Sequence, residues 1–462
     1  MKKADLIFIP APGIGHLVST LEFANRLIDR DDRISITILS MKLPSSPLVD
    51  SFTKFLTASQ PGIRLIDLPQ VDPPPLDILM KSPEHFISLF VESHVSHVKN
   101  IVADILSSYS NSDSTRVTGL VVDFFCVSMI DVAKEMNLPS YIFLTSNAGF
   151  LGLMLYLPTR HDQISIECKP SDPDLLITGF VKPVPSSLLP SALFHLDGGY
   201  PTYVKLAQRF KDVDGIVVNT FSELEPYAVN SFSGGLSPPV YAVGPVLHLK
   251  SQPNPDLDEV QYQKIFRWLD DQRDSSVVFL CFGSHGSFGA AQVKEIASGL
   301  ESSGYNFLWS MRLSSLKDED VFPEGFLERI KGRGMICGWA PQVEILAHKA
   351  VGGFLSHCGW NSILESLWFG VPIITWPMYA EQQLNAFRMV RELDLAVELR
   401  LDYRMGGDLV MANEIEKAVR SLMDGESRIR KKVEEMAEIG RRSLMDGGSS
   451  FDSIGQFIVL SF

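Results

Sequence analysis

An α/β protein of two Rossmann-like domains, each with a parallel sheet, is what the sequence predicts, on three observations. Short β-rich apolar runs alternate with helical patterns from one end to the other. A polar stretch carrying Pro253 and Pro255 divides the chain into two halves of about equal size. Each half opens with a strand and a glycine-bearing turn, PGIGH at 12–16 and GSHGS at 283–287. Strands buried on both faces and separated by helices imply parallel pairing.

In the first half the strand candidates are LIFIP (6–10), ISITILS (34–40), GLVVDF (119–124), SYIFL (140–144) and GIVVN (215–219). The second half offers VVFLCFG (277–283), NFLWSM (306–311), GMICGW (334–339), GGFLSH (352–357) and PIITWP (372–377). HLVSTLEFANRLIDR and AAQVKEIASGLESSG carry the helical period between them. The stretch LHLKSQPNPDLDEV reads as a linker over 247–260, so the expected domains are 1–246 and 261–445.

A chain of 462 residues exceeds the usual single-core size. Its 45% apolar and 21% charged residues are ordinary for a globular protein in water. A net charge of −14 argues against a nucleic-acid partner, which calls for a basic face. Anionic small ligands stay open, because helix N-termini bind them without net positive charge. Five cysteines, Cys126, Cys168, Cys281, Cys337 and Cys358, form no CxxC pair and read as buried thiols in a reducing compartment. The N-terminal MKKADLIFIPAPG has too short an apolar core for a signal peptide and reads as a first strand. No apolar run approaches the ~20 residues of a membrane span. The expectation is a cytoplasmic protein without stable membrane insertion.

Neither glycine turn completes a dinucleotide fingerprint. Val18 stands where the first turn needs its third glycine, and the second spaces its glycines at 283, 286 and 289. An NAD-linked oxidoreductase is disfavoured accordingly. A non-catalytic two-domain small-molecule binding protein is the other reading from a different class.

The stretch GGFLSHCGWNSILESLWFG at 352–370 is the most informative in the chain. GGFLSH reads as a buried strand in which Gly352 and Gly353 permit close approach. SILESLW is helical, with Gly370 as its left-handed stop and Pro372 beyond it. Asn361 or Ser362 is expected to cap the helix, leaving other amides of its first turn to an anion. His357, Asn361 and Ser362 add donors at that mouth, which suits a diphosphate. Glu365, one turn on, can accept paired ribose hydroxyls. Any one of these residues alone reads as a capped helix with an incidental histidine.

Two segments flank it. WAPQVEIL (339–346) places Trp339 at a strand end, where an indole can stack on a base, with Ala340 and Gln342 at the base and sugar edges. WPMYAEQQLNAF (376–387) puts Tyr379, Glu381 and Gln382 past another strand end, where a carboxylate and a carboxamide match hexose hydroxyls. In the first half, His16 and Asp123 both lie at carboxyl ends of strands, where open α/β sheets place ligands. A histidine can serve as general base, and a buried aspartate can orient it.

The continuous stretch 339–382, from WAPQ to YAEQ, resembles the nucleotide-sugar signature of plant family-1 UDP-glycosyltransferases. PAPGIGHL, VVDFF, NTFSELE at 219–225 and CFGS at 281–284 are similar as well, so the resemblance spans the chain. It implies the glycosyltransferase B fold, its two sheets facing across a cleft. The N-terminal domain would bind the acceptor and the C-terminal domain UDP-sugar, with a closing helix at 446–462 crossing back to the first domain.

The same resemblance makes His16 and Asp123 the catalytic dyad of an inverting transfer that yields a β-O-glucoside. It assigns UDP-sugar binding to Ser284, Trp339, Ala340, Gln342, His357, Trp360, Asn361, Ser362, Glu365, Tyr379, Glu381 and Gln382. His285, beside Ser284, departs from the apolar residue of many relatives and is expected to face solvent. Gln382 is similar to the glucose-using members, so UDP-glucose is the expected co-substrate. No cofactor and no metal are expected, since no DxD-like spacing stands near the site.

The acceptor is expected to meet Gly15, Phe124, Phe125, Phe143, Asn147 and Phe150, together with variable loops near 78–95 and 180–200. Such an aromatic lining suits a small lipophilic phenolic such as a flavonoid or stilbene. A terpenoid alcohol or a hormone-like carboxylic acid is the alternative. The enzyme is expected to be a monomer.

Overall fold

The computed structural model describes residues 3–43, 62–110, 115–235, 237–249, 259–311, 321–424 and 428–461. Contacts divide the chain into two units. The first comprises Met1–Ser186, Ser191–His248 and Arg442–Phe462, and the second Ser187–Pro190 with Leu249–Arg441.

Among the described residues the first unit holds seven strands: β1 (Lys3–Ile9), β2 (Ile34–Ser40), β3 (Ile63–Asp67), β4 (Thr115–Asp123), β5 (Ser140–Leu144), β6 (Gly215–Val218) and β7 (Val240–Ala242). Their order is β3-β2-β1-β4-β5-β6-β7, and every pair is parallel. From β1 the chain winds outward one way to β3, then returns to the other side of β1 as β4. That reversal between β1 and β4 is a topological switch point, where open parallel sheets leave a crevice beyond the strand ends.

The second unit holds β8 (Val277–Cys281), β9 (Asn306–Ser310), β10 (Gly334–Cys337), β11 (Val351–Ser356), β12 (Ile373–Thr375) and β13 (Ala396–Glu398). These are also all parallel, in the order β10-β9-β8-β11-β12-β13, so the second switch point lies between β8 and β11. β11 approaches its surroundings closely because it carries two glycines. A β-carbon on Gly352 would lie 2.3 Å from the Ser275 carbonyl oxygen, and one on Gly353 2.6 Å from Leu422.

The closing helix, Ser449–Ser461, packs into the core of the first unit. Phe457 lies 5.0 Å from Tyr141, 5.6 Å from Tyr241 and 5.8 Å from Phe23 between ring centroids. Ser450 Oγ donates to the Gly244 carbonyl at 2.5 Å.

Three sequence expectations change. The region 78–95, read as a variable loop, is helical: Leu76–Lys81, Pro83–Glu92 and the start of Val95–Ser110. The cause is local, since Ser82 Oγ accepts from His85 N at 3.3 Å and Pro83 occupies the first helical position, where a missing N–H costs nothing. The region 180–200 contains two short 3₁₀ turns, Ser186–Leu188 and Ser191–Phe194, before a helix begins at Gly199. Of the expected linker 247–260, residues 250–258 lie outside the described residues, while Glu259 and Val260 open the helix Glu259–Asp270.

Candidate functional site

At the first switch point, β1 leads through a turn into the helix Ile14–Arg30, with Gly13 as N-cap. Gly15 and His16 therefore sit in the first turn. Asp123 ends β4 next door, its side chain fully buried, and accepts from His16 Nδ1 at 2.7 Å. Its other oxygen accepts from Phe125 N at 2.9 Å and so caps the 3₁₀ turn Phe124–Met129. An ionised carboxylate only accepts, so this pairing places the proton on Nδ1 and the lone pair on Nε2. Thr145 Oγ1 lies 3.3 Å from the same Nδ1, a contact that no local sequence pattern signals.

An aromatic group surrounds this pair. Phe124 and Phe125 lie 6.0 and 5.9 Å from the His16 ring and 4.1 Å from each other. Phe150 meets Phe124 at 5.7 Å, and Tyr203, unforeseen in the sequence, meets Phe150 at 6.4 Å. Phe143 is not part of the group: it stacks on Phe23 at 4.9 Å inside the core, because alternation along β5 turns it to that face. Asn147 is a helix cap, accepting from Phe150 N at 2.8 Å. Buried Glu225 accepts from Ala148 N at 2.9 Å and Gly149 N at 3.3 Å, so the amides of that helix start are already served.

At the second switch point, β8 runs into Gly283, Ser284 and His285, while β11 runs into His357, Cys358 and Gly359. His357 is buried between two glycines: a β-carbon on either Gly283 or Gly359 would stand 2.6 Å from its Nε2. Burial holds its pKa down at about 4, against a hydrogen bond to the Cys281 backbone, so the ring is neutral at pH 7. Its Nδ1 finds no hydrogen-bond partner among the described residues.

The chain reverses here through Cys358 at φ 64°. Ser356 Oγ accepts from Cys358 N at 3.2 Å, and buried Asn385 Nδ2 donates to the Cys358 carbonyl at 3.0 Å. Neither side chain stands out in the sequence, since Asn385 is one of three amides in the short helix Gln382–Phe387.

The helix Trp360–Trp368 follows, and its N-cap is Gly359, with no side-chain cap bond. Asn361 and Ser362 are therefore not caps but the second and third helical residues, because the Cys358 turn starts the helix earlier than expected. Trp360 is buried and Gly370 takes φ +72°, ending the segment.

Gln342 opens the helix Gln342–Ala347, and its Nε2 donates to Ser362 Oγ at 2.8 Å and Glu365 Oε2 at 2.6 Å. Those three side chains are one group. Trp339, half-buried, and Ala340, buried, precede it. After β12, Gln382 is buried, and its Oε1 accepts from Met378 N at 2.9 Å and Tyr379 N at 3.1 Å. Glu381 is the N-cap of the helix that Gln382 begins. Tyr379 lies 6.3 Å from the His357 ring and 6.1 Å from that of His285, which is exposed. Ser284 is half-buried. Among the described residues no cluster of His, Cys, Asp or Glu has the makings of a metal site, and no helix is long and apolar enough to cross a membrane.

Comparison with known proteins identifies the family and the fold. Residues 254–439 match the family described as UDP-glucoronosyl and UDP-glucosyl transferase. UDP-glycosyltransferase 71K1 of Malus domestica is 59% identical, over 99% of this chain and 98% of its own. Flavonol 3-O-glucosyltransferase UGT71C4 of Arabidopsis thaliana is 53% identical, over 100% of this chain and 98% of its own. The crystal structure of Medicago truncatula UGT71G1 complexed with UDP-glucose superposes with a TM-score of 0.94 at 55% identity, covering 100% of this chain and 99% of that one. With more than half its residues shared along the full length of such enzymes, the chain belongs to the UDP-glycosyltransferase family and is a UDP-glycosyltransferase of the glycosyltransferase B fold.

Proposed function

We propose that the enzyme transfers glucose from UDP-glucose to a hydroxyl of a small lipophilic phenolic, with inversion, giving a β-O-glucoside. The observation that carries this reading is the 2.7 Å pairing of His16 Nδ1 with buried Asp123. It leaves Nε2 with the lone pair that a general base needs. In the proposed step, Nε2 takes the acceptor hydroxyl proton and the acceptor oxygen forms its bond to the anomeric carbon. The bond from that carbon to the β-phosphate oxygen breaks on the opposite face. UDP leaves with the electron pair, and Asp123 stabilises the imidazolium until the proton is lost to solvent.

The donor is assigned to the second unit. Trp339 and Ala340 would receive the base, and Gln342 with Glu365 the ribose. Ser284, His357, Trp360, Asn361 and Ser362 would surround the diphosphate at a helix N-terminus, where aligned N–H dipoles offset leaving-group charge. Tyr379, Glu381 and Gln382 would face the sugar. The UDP-glucose complex of UGT71G1 supports this choice of donor.

The acceptor is assigned to the first unit, against Gly15, Phe124, Phe125, Asn147 and Phe150. The aromatic group around His16 supports a flat phenolic, as does the flavonol activity in the name of UGT71C4. The reading includes no metal, a cytoplasmic location and a monomer. Incubation with UDP-glucose and a panel of flavonols, stilbenes, terpenoid alcohols and aromatic acids, with and without EDTA, tests it. Phenols glucosylated regardless of EDTA agree with the reading; exclusive use of terpenoids or acids, or loss with EDTA, contradicts it.

A further inference from the structure

The helix Glu259–Asp270 is tied along its length to the segment that carries Trp339 and Gln342. Gln261 Nε2 donates to the Trp339 carbonyl at 2.8 Å. The Tyr262 hydroxyl donates to the Glu344 carboxylate. Four residues on from Tyr262, Phe266 lies 4.6 Å from the Tyr262 ring and 6.2 Å from that of His348. Four further on, Asp270 Oδ1 meets His348 Nε2 at 3.2 Å. Residues spaced by four share one face of a helix, so a single face follows the segment 339–348.

Residues 338–341 have no helix or strand of their own, so their position is set from outside. On one side Gln342 is bonded to Ser362 and Glu365. On the other, the bonds from Gln261 and Tyr262 fix the Trp339 peptide and the helix Gln342–Ala347. Burial cannot account for these ties, since Gln261 and Tyr262 remain partly exposed. Each is a directed bond to one acceptor.

We propose that Gln261 and Tyr262 are positioning residues for the nucleoside end of the donor, holding Trp339 and Gln342 in register and thereby setting nucleotide affinity and base selectivity. This rests on the assignment of Trp339 to the base. The bonds act chiefly on the nucleoside end, because their one link to the groups assigned to the diphosphate runs through the Gln342 bond to Ser362.

The test measures UDP affinity by calorimetry, inhibition by inorganic pyrophosphate, competition by UDP against ADP, and kcat at saturating UDP-glucose. Gln261→Met and Tyr262→Phe each remove the hydrogen bond to this segment and should weaken UDP about two- to tenfold. Pyrophosphate inhibition and kcat should stay within twofold, and the preference for UDP over ADP should fall. Gln261→Lys, which keeps a donor of similar reach, should restore UDP affinity. Equal weakening of UDP and pyrophosphate overturns the proposal, since it marks general loosening. Unchanged UDP affinity in both variants, while Trp339→Ala weakens UDP, overturns the proposal alone. Unchanged UDP affinity in Trp339→Ala overturns the assignment of the base itself.

Discussion

The ring of His357 lies so close to Gly283 that a β-carbon on the glycine would stand 2.6 Å from Nε2, and Gly283 itself takes φ +71°. Two constraints thus coincide at one backbone position, steric contact and left-handed geometry. The enclosed ring is also desolvated, which disfavours its charged form and lowers its pKa to about 4.

The first prediction is a stability profile. Unfolded, His357 titrates near 6.5; folded, near 4. The unfolded state therefore binds the extra proton between these values. Stability from the neutral ring is complete above about pH 6.5, is lost as pH falls toward 4, and changes no further below that. The slope is at most about 1.4 kcal/mol per pH unit. Urea unfolding of wild type and His357→Gln should show a stability difference that is flat above pH 7 and shrinks on acidification. A difference independent of pH between 7 and 4 contradicts the buried neutral imidazole.

The second concerns the same residue's ligand. With UDP bound, the single N–H of the neutral ring would turn from the Cys281 backbone to the diphosphate, so His357→Ala should weaken UDP and UDP-glucose alike, by at most about 1.5–3 kcal/mol, the usual worth of a hydrogen bond to a charged group. Calorimetry reads both. Unchanged UDP affinity removes the diphosphate from this helix mouth.

The third concerns the base. His16→Ala should cost ~10²–10⁴-fold in transfer to an aliphatic hydroxyl while leaving UDP affinity near normal. Asp123→Asn can still accept from Phe125 N but cannot stabilise an imidazolium, so it should lose rate on the same substrate. A partly ionised phenol needs less help, and both variants should retain more activity on it. Near-normal turnover of the aliphatic acceptor by His16→Ala rules out the assigned role.

The fourth turns on Glu225, whose carboxylate accepts from Ala148 N and Gly149 N while Asn147 serves Phe150 N. Glu225→Ala leaves buried amides unsatisfied, at about 1–3 kcal/mol of stability. It should also raise KM for the acceptor, because Phe150 and Thr145 flank that helix start, and leave KM for UDP-glucose unchanged. Thermal melts and initial-rate kinetics separate the two effects.

Much of this was legible because the decisive residues are contiguous. From Trp339 to Gln382 the chain visits two strand ends and three helix starts in succession, so residues of one site stand close together in the sequence. β3, β7 and β13 escaped notice for the opposite reason. β3 mixes Arg64 and Asp67 into an edge strand, and β7 and β13 have only three residues each. Thr145, Tyr203, Gln261 and Asn385 reach their partners only through tertiary folding, and no local period signals that. Phe143 misled because a run of apolar residues does not say which face of a parallel strand turns to the core. Ser82-Pro83-Glu84, by contrast, announced a helix start that a loop reading passed over.

The last prediction is sugar choice, and the structure narrows its chemistry. From the sequence, the Gln382 amide can both donate and accept. In the fold its oxygen already takes two backbone N–H groups, from Met378 and Tyr379, so only the nitrogen is left to face a ligand. Burial pushes the Tyr379 phenol up while a hydrogen bond from the Gln382 amide nitrogen pulls it back, so one of the two amide protons is committed to Tyr379 and the other is left for a ligand. Gln382 thus becomes a donor held in place, beside Glu381, which only accepts when ionised. Glucose and galactose differ solely in the direction of the 4-hydroxyl. A fixed donor and acceptor pair can match one epimer, and its polar groups go unsatisfied with the other. UDP-glucose should therefore exceed UDP-galactose in kcat/KM with one common acceptor. Gln382→Glu keeps an oxygen for the Met378 and Tyr379 amides but removes the donor. It should lower kcat/KM for UDP-glucose about tenfold, the upper end for one hydrogen bond, with UDP affinity unchanged. A preference for UDP-galactose in the wild type overturns the donor assignment, and full activity of Gln382→Glu shows that discrimination lies elsewhere.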